Sequence, residues 1–564
     1  MKNKKSLDTG TFNNIYLFAA VPVVALMIFD SLTAELCDLL SNFRLFRLPL
    51  FKMVFNSSQS LFYYFRYPAK AWNNNTHIGS NKMFIVATFV NISLFALLTI
   101  FVYKSVVLRK CLGKIKPYVF KDKHDISYSR WASLKDVSDL IVNESLSGRL
   151  VFGLFKNRLL AGEKNQSLLV IGPTQSKKTT GFCIPALLEW NGPIVATSVK
   201  TDLVDLTIGH RSNCGDVTVI DPSLQTQYPK TLWSPIPDIK SFDSAKKISS
   251  YMTLETCSQS GLEESRFWYQ CASKLLAPML YAASGFDLGI QDVITWVDTQ
   301  AVDEVVRLLV ELEDQKALHS FESVLFKEDR QRSSIFTTLE TVLESYSNFR
   351  GDEKLFSTTD FFNGNNTLYL ISPAHEQHRL KDYFSTVIKE ILRQAFENVT
   401  SGQMPMDPPL LLILDEAANI APISSLDTLA STAASNGIQI VSIFQDIAQI
   451  YSRYGNKAST IINNHRSRIV LSGLSDVDNL DKVSSLGGNI LNKVNTISTD
   501  GVGNKTHTVS SQTSNLLTSS TLRQLEPGFG YLIYGHLSPA KIKLRCYFED
   551  EHLLSKSQIQ LKKI

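Results

Sequence analysis

Seven short apolar runs constrain the fold of this chain more than any other feature of its sequence. Each run is nearly continuous in its hydrophobicity and contains β-branched residues, which is typical of strands buried on both faces of a parallel sheet. Glycine-containing turns and helical stretches recur between the runs after Lys123. The pattern predicts an α/β fold in which helices cover a mostly parallel sheet. The predicted strands are residues 167–171, 193–199, 217–220, 367–371, 410–414, 438–444 and 468–471.

A long helical stretch interrupts this pattern between the third and the fourth run. The segment FWYQCASKLLAPMLYAA, at residues 267–283, has apolar side chains that recur at helical spacing. We therefore predict an all-α domain, residues 241–348, inserted into a sheet domain that comprises residues 104–240 and 349–564.

The C-terminal region carries two further patterns. Residues 495–515 are rich in Ser, Thr, Asn and Gly with little apolar periodicity, so we expect a mobile loop there. Residues 528–534 and 541–548 read as two strands and predict a hairpin.

Two apolar stretches near the N-terminus predict a membrane anchor. Residues 15–29 are uncharged and continue past Asp30 to residue 33, and residues 83–103 are also uncharged. Each approaches the ~20 residues that cross a bilayer as a helix. Lysines and arginines on the outer flanks of both stretches place both ends in the cytoplasm. A cleaved signal peptide is the alternative for the first stretch and a buried core helix for the second. Residues 1–103 are thus predicted to form an anchor with two transmembrane helices, at about 15–33 and 83–103.

Composition limits the remaining function classes. Hydrophobic residues make up 44% of the chain and charged residues 20%, which fits a mostly soluble enzyme with a small membrane part. A net charge of +4 over 564 residues gives no argument for nucleic-acid binding. The seven cysteines form no CxxC pair and are not interleaved with histidines, so neither a zinc site nor a disulfide framework is indicated.

The first predicted strand leads into a loop of the kind that binds phosphate. The consensus G-x-x-x-x-G-K-[ST] uses backbone N–H groups to cradle phosphates, a lysine to neutralise β/γ charge and a hydroxyl to coordinate Mg²⁺. Lys177 stands where the consensus has its second glycine, so a chance strand–turn–helix is the alternative for this motif alone. The candidate phosphate-binding residues are Gly172, Pro173, Thr174, Gln175, Ser176, Lys177, Lys178, Thr179 and Thr180.

Two polar residues follow the apolar run LLLIL at the carboxyl end of the fifth predicted strand. In P-loop ATPases an Asp at this place holds Mg²⁺ and the next Glu polarises the attacking water. Asp415 and Glu416 are the candidates, and a simple helix cap is the alternative. Gln445 ends the next predicted strand and is a candidate sensor of the γ-phosphate, or else a plain surface residue.

From Gly172 almost to the C-terminus, the sequence resembles the TraG-like type IV coupling proteins, relatives of the RecA-like and FtsK/HerA motor ATPases. The stretches that carry the resemblance include GPTQSKKTTGFCIPALLEW, TLYLISP, LSGLSDVDNLDKVSSLGG and, most specifically, LLLILDEAANIAPISSLDTLASTAASNGIQIVSIFQDIAQI.

This resemblance implies a RecA-like P-loop NTPase domain that uses ATP and Mg²⁺. The catalytic residues would be Glu416, Lys178 and Gln445, the magnesium ligands Thr179 and Asp415, and residues 172–180 would contact phosphates. It also implies a homo-hexameric ring on the cytoplasmic face of the cell inner membrane. The cargo would be DNA, single-stranded and delivered by a relaxase complex, or protein, and the other partners would be the proteins of the secretion channel.

Several alternatives stay open at this point. Lys177 suggests a docking receptor whose P-loop no longer hydrolyses ATP, and an FtsK-like DNA translocase is a third reading. An arginine from the next subunit often completes such sites. The candidates by position are Arg466, Arg468 and Arg379, and a surface or packing role is the alternative for each. Lys200 and Asp202 end the second predicted strand and either line the site or form an exposed turn.

The position of Lys177 carries its own expectation. A Cβ at the place of a glycine strains the loop by about 1–3 kcal/mol, which would weaken nucleotide binding roughly ten- to a hundredfold if the strain fell wholly on the bound state. We therefore expect weak binding of Mg-ATP, and tighter binding and faster hydrolysis in a Lys177→Gly variant.

Overall fold

The structure is a computed structural model, and it describes residues 129–223, 226–257, 263–347, 353–499 and 505–560. Both predicted transmembrane helices, and the whole predicted anchor at residues 1–103, lie outside these ranges. Within them, none of the helices combines the length and the apolar character needed to span a bilayer. The fold described below belongs to the unit Asp125–Ile564.

Fourteen of the described strands form one large sheet, and a separate pair forms a ribbon. The order across the large sheet is β1-β3-β2-β16-β15-β12-β4-β11-β10-β5-β9-β6-β7-β8, and the ribbon is β13-β14. The strands are β1 Ile141–Val142, β2 Val151–Phe155, β3 Arg158–Ala161, β4 Leu168–Ile171, β5 Ile194–Ser198, β6 Val217–Ile220, β7 Thr231–Leu232, β8 Lys354–Leu355, β9 Thr367–Ile371, β10 Leu410–Leu414, β11 Ile438–Phe444, β12 Ser467–Leu471, β13 Asn489–Thr499, β14 Lys505–Asn515, β15 Phe529–Tyr534 and β16 Ala540–Lys543.

All seven predicted strands are present and pair in parallel, so the predicted α/β class is confirmed. They are β4, β5, β6, β9, β10, β11 and β12, and β11 lies between β4 and β10. The predicted C-terminal hairpin is also confirmed, since β15 and β16 pair antiparallel. Its second strand ends at Lys543 rather than near residue 548, because the chain turns away there into a short 3₁₀ helix, Tyr547–Glu549.

Helices cover both faces of the central part of the sheet, which explains why its strands are buried on both faces. Every residue of β11 is buried: Ile440 and Phe444 pack into the core on one face, and Val441 and Ile443 into the core on the other. The helices are α1 Ile184–Glu189, α2 Asp202–Asp205, α3 Ile208–Arg211, α4 Phe242–Cys257, α5 Glu263–Gly285, α6 Ile290–Asp298, α7 Val302–Glu311, α8 Gln315–Leu325, α9 Asp329–Leu343, α10 Thr358–Phe361, α11 Gln377–Thr400, α12 Leu426–Thr432, α13 Ile447–Tyr454, α14 Ala458–Asn464, α15 Val477–Leu486, α16 Ser519–Arg523 and α17 Glu551–Ser557.

The stretch between β7 and β8 is helical, as its sequence periodicity predicts. It contains α4 to α9, and α5 packs against each of the other five. The buried side chains of these helices join the core on one face of the sheet. The boundaries of the inserted domain at residues 241 and 348 stay a prediction.

The prediction of a mobile loop over residues 495–515 is wrong. Its described residues belong to β13 and β14, which pair antiparallel from Asn489↔Asn515 to Thr499↔Lys505. The ribbon lies outside the large sheet, so its strands do not need the continuous apolar sequence of the core strands. Both strands contain several β-branched residues, namely isoleucine, valine and threonine in β13 and valine and threonine in β14, and this content was the usable signal.

Candidate functional site

Three of the predicted motifs meet at one edge of the sheet. The strands β4, β11 and β10 are adjacent and parallel, and their registers align Ile171 with Phe444 and Leu414 with Ser442. Their carboxyl ends therefore lie side by side, with the loop from Gly172, the pair Asp415–Glu416 and Gln445 directly after them. Such an edge is where parallel α/β sheets bind ligands.

The loop after β4 is tightly folded around its first glycine. A Cβ at Gly172 would lie 2.7 Å from Ser176 Oγ and 2.8 Å from Leu471 Cβ, so the position excludes a side chain. Gln175 and Lys177 hold left-handed backbone, with φ of 64° and 65°. Within the described part of the chain, the amides of Thr174, Gln175 and Lys177 donate to no backbone carbonyl. A concave loop with such amides fits a phosphate group.

Lys178 is buried beneath this loop. Its Nζ donates to the carbonyl oxygens of Gly172 and Pro173, both at 2.7 Å. Burial lowers the pKa of the Lys178 ammonium, and the charges of Asp415 and Glu416 oppose that shift. The lysine therefore lies between the loop and the two carboxylates, where it can neutralise phosphate charge.

The two predicted magnesium ligands face each other. Thr179 Oγ1 lies 3.2 Å from Asp415 Oδ2, and Thr197 Oγ1 donates to the Asp415 carbonyl oxygen at 3.0 Å. Burial, followed by repulsion from Glu416, raises the pKa of the Asp415 carboxyl to about 6. No cluster of three or more His, Cys, Asp or Glu side chains suited to a metal occurs in the described residues. A hydroxyl and one carboxylate fit Mg²⁺, which keeps waters and takes its other ligands from substrate phosphates.

The predicted catalytic base is held in a strained conformation. Glu416 has a φ of 52°, and Asn419 Nδ2 donates to its Oε2 at 3.3 Å. Strain of this kind accumulates at functional sites, where the surrounding structure maintains it. Asn419 was not singled out from the sequence, although its position three residues after Glu416 in a turn is a usable signal.

Gln445 lines an open cleft of about 490 Å³. Its backbone N–H donates to Gln449 Oε1 at 3.0 Å, and Asp446 caps α13 through the amide of Gln449 at 2.7 Å. The cleft is lined by Asn419, Gln445, Gln449 and Arg453, among others, and not by the phosphate loop. We place the chemistry at the loop rather than in this cleft, because the lysine, the hydroxyl and the carboxylates converge there.

The side chain of Lys177 points away from the phosphate cradle and towards the C-terminal segment. Its Nζ lies 3.2 Å from Glu549 Oε1 and 5.5 Å from the centre of the Phe548 ring. Lys543 also pairs with Glu549, at 3.2 Å. No local sequence pattern indicates these contacts, since 372 positions separate Lys177 from Glu549.

The candidate arginines differ in what they contact within their own chain. Arg466 pairs with Glu163 at 3.0 Å, and Arg379 pairs with Glu376 at 2.6 Å. Arg468 lies within β12, and in the described residues no carboxylate pairs with it.

The pair after β5 lies in a turn that leads into α2. Lys200 is exposed, its carbonyl oxygen accepts from Ser198 Oγ at 2.9 Å, and Asp202 accepts from the Leu203 amide at 3.0 Å. These contacts support the interpretation that both residues belong to an exposed turn.

Comparison with known proteins gives consistent matches. The family model described as type IV secretory system conjugative DNA transfer matches residues 130–563. Conjugal transfer protein TraG of Escherichia coli is 22% identical over 334 residues, which cover 53% of this chain and 52% of that protein. Protein VirD4 of Rhizobium radiobacter is 22% identical over 441 residues, which cover 72% of this chain and 60% of that protein. The chain therefore matches between about half and three fifths of the length of these relatives.

The fold has solved counterparts as well. The plasmid coupling protein TrwB, in complex with ADP and Mg²⁺, superposes with a TM-score of 0.56 at 16% identity, over 74% of this chain and 94% of that one. At such low identity the likeness shows the shared mixed α/β fold alone.

Proposed function

We propose, from the premise that this chain belongs to the conjugative DNA transfer family of the type IV secretory system, that it is a coupling ATPase with a RecA-like P-loop domain. It would use ATP hydrolysis to drive substrate into the transfer channel. The observation that carries this proposal is the convergence of Lys178, Thr179, Asp415 and Glu416 at one sheet edge. The complex of TrwB with ADP and Mg²⁺ supports the same choice of ligands.

Each residue of the site would have a distinct part in hydrolysis. The loop amides and Lys178 would bind the phosphates, and Thr179 with Asp415 would hold Mg²⁺, which supplies charge neutralisation at the β- and γ-phosphates. Glu416 would accept a proton from the attacking water, and Gln445 would orient that water or sense the γ-phosphate.

The family description supports DNA as the cargo. We propose single-stranded DNA, presented by a relaxase complex, as the transported form, with protein cargo as the alternative. The partners would be the proteins of the secretion channel, and the active assembly a homo-hexamer anchored in the cell inner membrane by the predicted helices at residues 15–33 and 83–103. In this topology the segment from about residue 33 to residue 81 lies outside the cytoplasm. Ser57→Cys or Ser80→Cys, in a chain whose Cys37 in the same segment is replaced by serine, is therefore expected to be labelled by an impermeant thiol reagent in intact cells, and labelling only after lysis would contradict the topology.

The test of the ATPase separates binding from chemistry. Glu416→Gln is expected to keep Mg-ATP affinity while hydrolysis falls on the order of a thousandfold, because the carboxylate that accepts the proton is removed and Asp415 remains. Lys178→Ala is expected to weaken binding instead. Glu340→Gln on the exposed face of α9 makes the same chemical change away from the site and controls for it. Hydrolysis at the parental rate in Glu416→Gln would refute the assignment.

A docking receptor that does not hydrolyse ATP is the second candidate, because Lys177 is engaged by Glu549 rather than by the phosphate cradle. Absence of turnover in the parental protein, with and without single-stranded DNA, would favour this candidate. Stimulation of turnover by the DNA would favour DNA over protein as cargo, and it would equally fit the third reading, an FtsK-like DNA translocase.

A further inference from the structure

The C-terminal segment, residues 544–549, runs along one side of the phosphate loop and of the helix that follows it. Leu544 packs against Gly181, where an added Cβ would lie 3.2 Å from its side chain. Burial raises the pKa of the Cys546 thiol, and Thr180 lies near enough to oppose that larger effect by lowering it. Glu549 pairs with Lys177. The segment is therefore a wall of the site, although it lies far away in the sequence.

The phosphate loop consequently has two different sides. Thr179 faces Asp415, and the charges of Asp415 and Glu416 act on the Lys178 ammonium. The γ-phosphate is therefore expected on the side of the loop that faces these carboxylates. Lys177 and Thr180 face the C-terminal segment instead. We consider a nucleotide with its γ-phosphate at the carboxylates and its other phosphates along the loop. Its ribose and base then lie on the side of the C-terminal segment.

Phe548 is the large aromatic side chain on that side. It is 46% exposed, although aromatic rings of this size are usually buried. Its ring is nonetheless held in place, by the Lys177 ammonium at 5.5 Å and by an edge-to-face contact with Tyr547 at 5.4 Å between centroids. Exposed aromatic rings of fixed orientation are suited to stack on a nucleobase.

We propose that Phe548 is the stacking platform for the base of the bound nucleotide, and that Lys177, paired with Glu549, is a positioning residue for this ring. The proposal rests on the proposed function, because it assumes that the loop binds ATP. It gives a role to the lysine that replaces the consensus glycine: the side chain connects the phosphate-binding loop to the surface that recognises the base.

Two ligands that share their phosphates but differ in the base test this proposal. Mg-ATP and Mg-tripolyphosphate are titrated calorimetrically into the full chain and into its Phe548→Ala variant. The dissociation constant for ATP is expected to rise about 5- to 150-fold in the variant, while that for tripolyphosphate stays unchanged. Phe326→Ala is the matched control, since Phe326 is 85% exposed and lies on the helical stretch at the end of α8; it is expected to change neither constant.

Two further variants separate stacking from mere support of the loop. Phe548→Trp retains an aromatic surface, so it is expected to restore ATP affinity, and its added fluorescence relative to the parent is expected to fall with ATP but not with tripolyphosphate. Lys177→Ala is expected to weaken ATP binding without a matching loss of affinity for tripolyphosphate.

Two outcomes would overturn the proposal. The first is an equal loss of affinity for both ligands in Phe548→Ala, and the second is no loss of affinity for either together with unaltered fluorescence in Phe548→Trp. A parental protein that binds tripolyphosphate but gains nothing from the base would refute the platform and leave the phosphate site intact, whereas no binding of either ligand would refute the proposed function and the platform together.

Discussion

Three of the nine non-glycine residues with left-handed backbone in the described part of the chain lie at the candidate site. Gln175, Lys177 and Glu416 all have a φ between 52° and 65°. Such residues cost on the order of 1–3 kcal/mol each and persist where the surrounding structure enforces them. At Lys177 the sequence predicted the strain, because a glycine belongs there in the consensus. Lys177→Gly removes this strain but also the contact with Glu549, so the gain in affinity expected from the sequence is opposed by the loss of that contact.

The first prediction is that the strain at Lys177 lowers the free energy of unfolding. Lys177→Gly and Lys177→Ala both lose the ammonium and its contact with Glu549, and they differ only in the Cβ. The Gly variant is expected to have the larger free energy of unfolding, by about 1 kcal/mol, because alanine disfavours left-handed backbone. Urea denaturation measures the difference.

The same exchange at Lys200 is the control for that measurement. Lys200 is exposed and does not have a positive φ, so alanine is expected to be the more stable variant there. Equal stability of the two Lys177 variants would show that the loop relaxes in solution.

The second prediction concerns a buried histidine beside the site strands. His465 is fully buried, with its ring nitrogens 3.0 Å from Ser442 Oγ on β11 and 2.8 Å from the Ile461 carbonyl oxygen. Burial lowers the pKa of the His465 imidazole to about 4. Because the unfolded chain takes up the proton at about pH 6.5, this residue leaves stability unaffected above pH 7 and lowers it as the pH falls from 6.5 to 4.

The size of this effect can be measured against a side chain that does not titrate. Between pH 7.5 and pH 5 the parental free energy of unfolding is expected to fall by roughly 2 kcal/mol more than that of His465→Asn. Urea denaturation at the two pH values provides the comparison. Parallel pH profiles of the two proteins would contradict the neutral buried imidazole.

At the scale of elements, the C-terminal segment is fixed to the helix that follows the phosphate loop. Arg545 lies between Glu189 of α1 and Asp550 at the start of α17, with contacts of 2.5 and 2.6 Å. The side chains of Arg545 and Glu189 are only 11% and 7% exposed. This ion cluster determines where Phe548 and Glu549 can lie.

The third prediction removes the centre of that cluster. Arg545→Ala leaves two carboxylates facing each other in a mostly buried place, and we expect a loss of about 3 kcal/mol in the free energy of unfolding. Arg130→Ala is the control, because Arg130 pairs with Asp136 while 62% exposed, and such surface pairs contribute little. A loss at Arg545 no larger than at Arg130 would mean that the cluster does not hold the segment.

The elements also show what could be predicted from the sequence. The buried strands were found within one or two residues, because burial on both faces imposes a continuous apolar run whatever the neighbours are. The short strands β1 to β3 and the ribbon β13–β14 were missed, since their pairing gives no such run. Likewise the loop, Asp415 and Glu416 follow from local motifs, but the wall formed by residues 544–549 depends on a tertiary contact for which no local pattern exists.

At the scale of the whole molecule, the proposed ring raises the question of which arginine acts on the neighbouring site. Arg466 and Arg379 are already paired with carboxylates of their own chain. Arg468 has no such partner among the described residues, and burial lowers the pKa of its guanidinium, whose Nε is buried without a hydrogen bond. Burying a guanidinium without an anionic partner costs free energy, and an anionic group supplied by another subunit would offset that cost. We therefore expect Arg468 to be the residue that acts in trans.

Mixed assemblies test this last prediction. Glu416→Gln and Arg468→Ala are each expected to be inactive alone. The first variant lacks the proton acceptor, and the second lacks the charge that stabilises the transition state in the site of the adjacent subunit. If the two residues serve one site from adjacent subunits, random co-assembly in equal amounts restores both to about a quarter of the sites, and hydrolysis returns to a corresponding fraction of the parental rate. The same mixing with Arg466→Ala or Arg379→Ala in place of Arg468→Ala is expected to give no recovery beyond the activity of each variant alone. Parental activity in Arg468→Ala would show that Arg468 does not take part in hydrolysis. No recovery on mixing, although the subunits co-assemble, would refute its action in trans, because a residue that acts within its own subunit cannot be supplied by a neighbour.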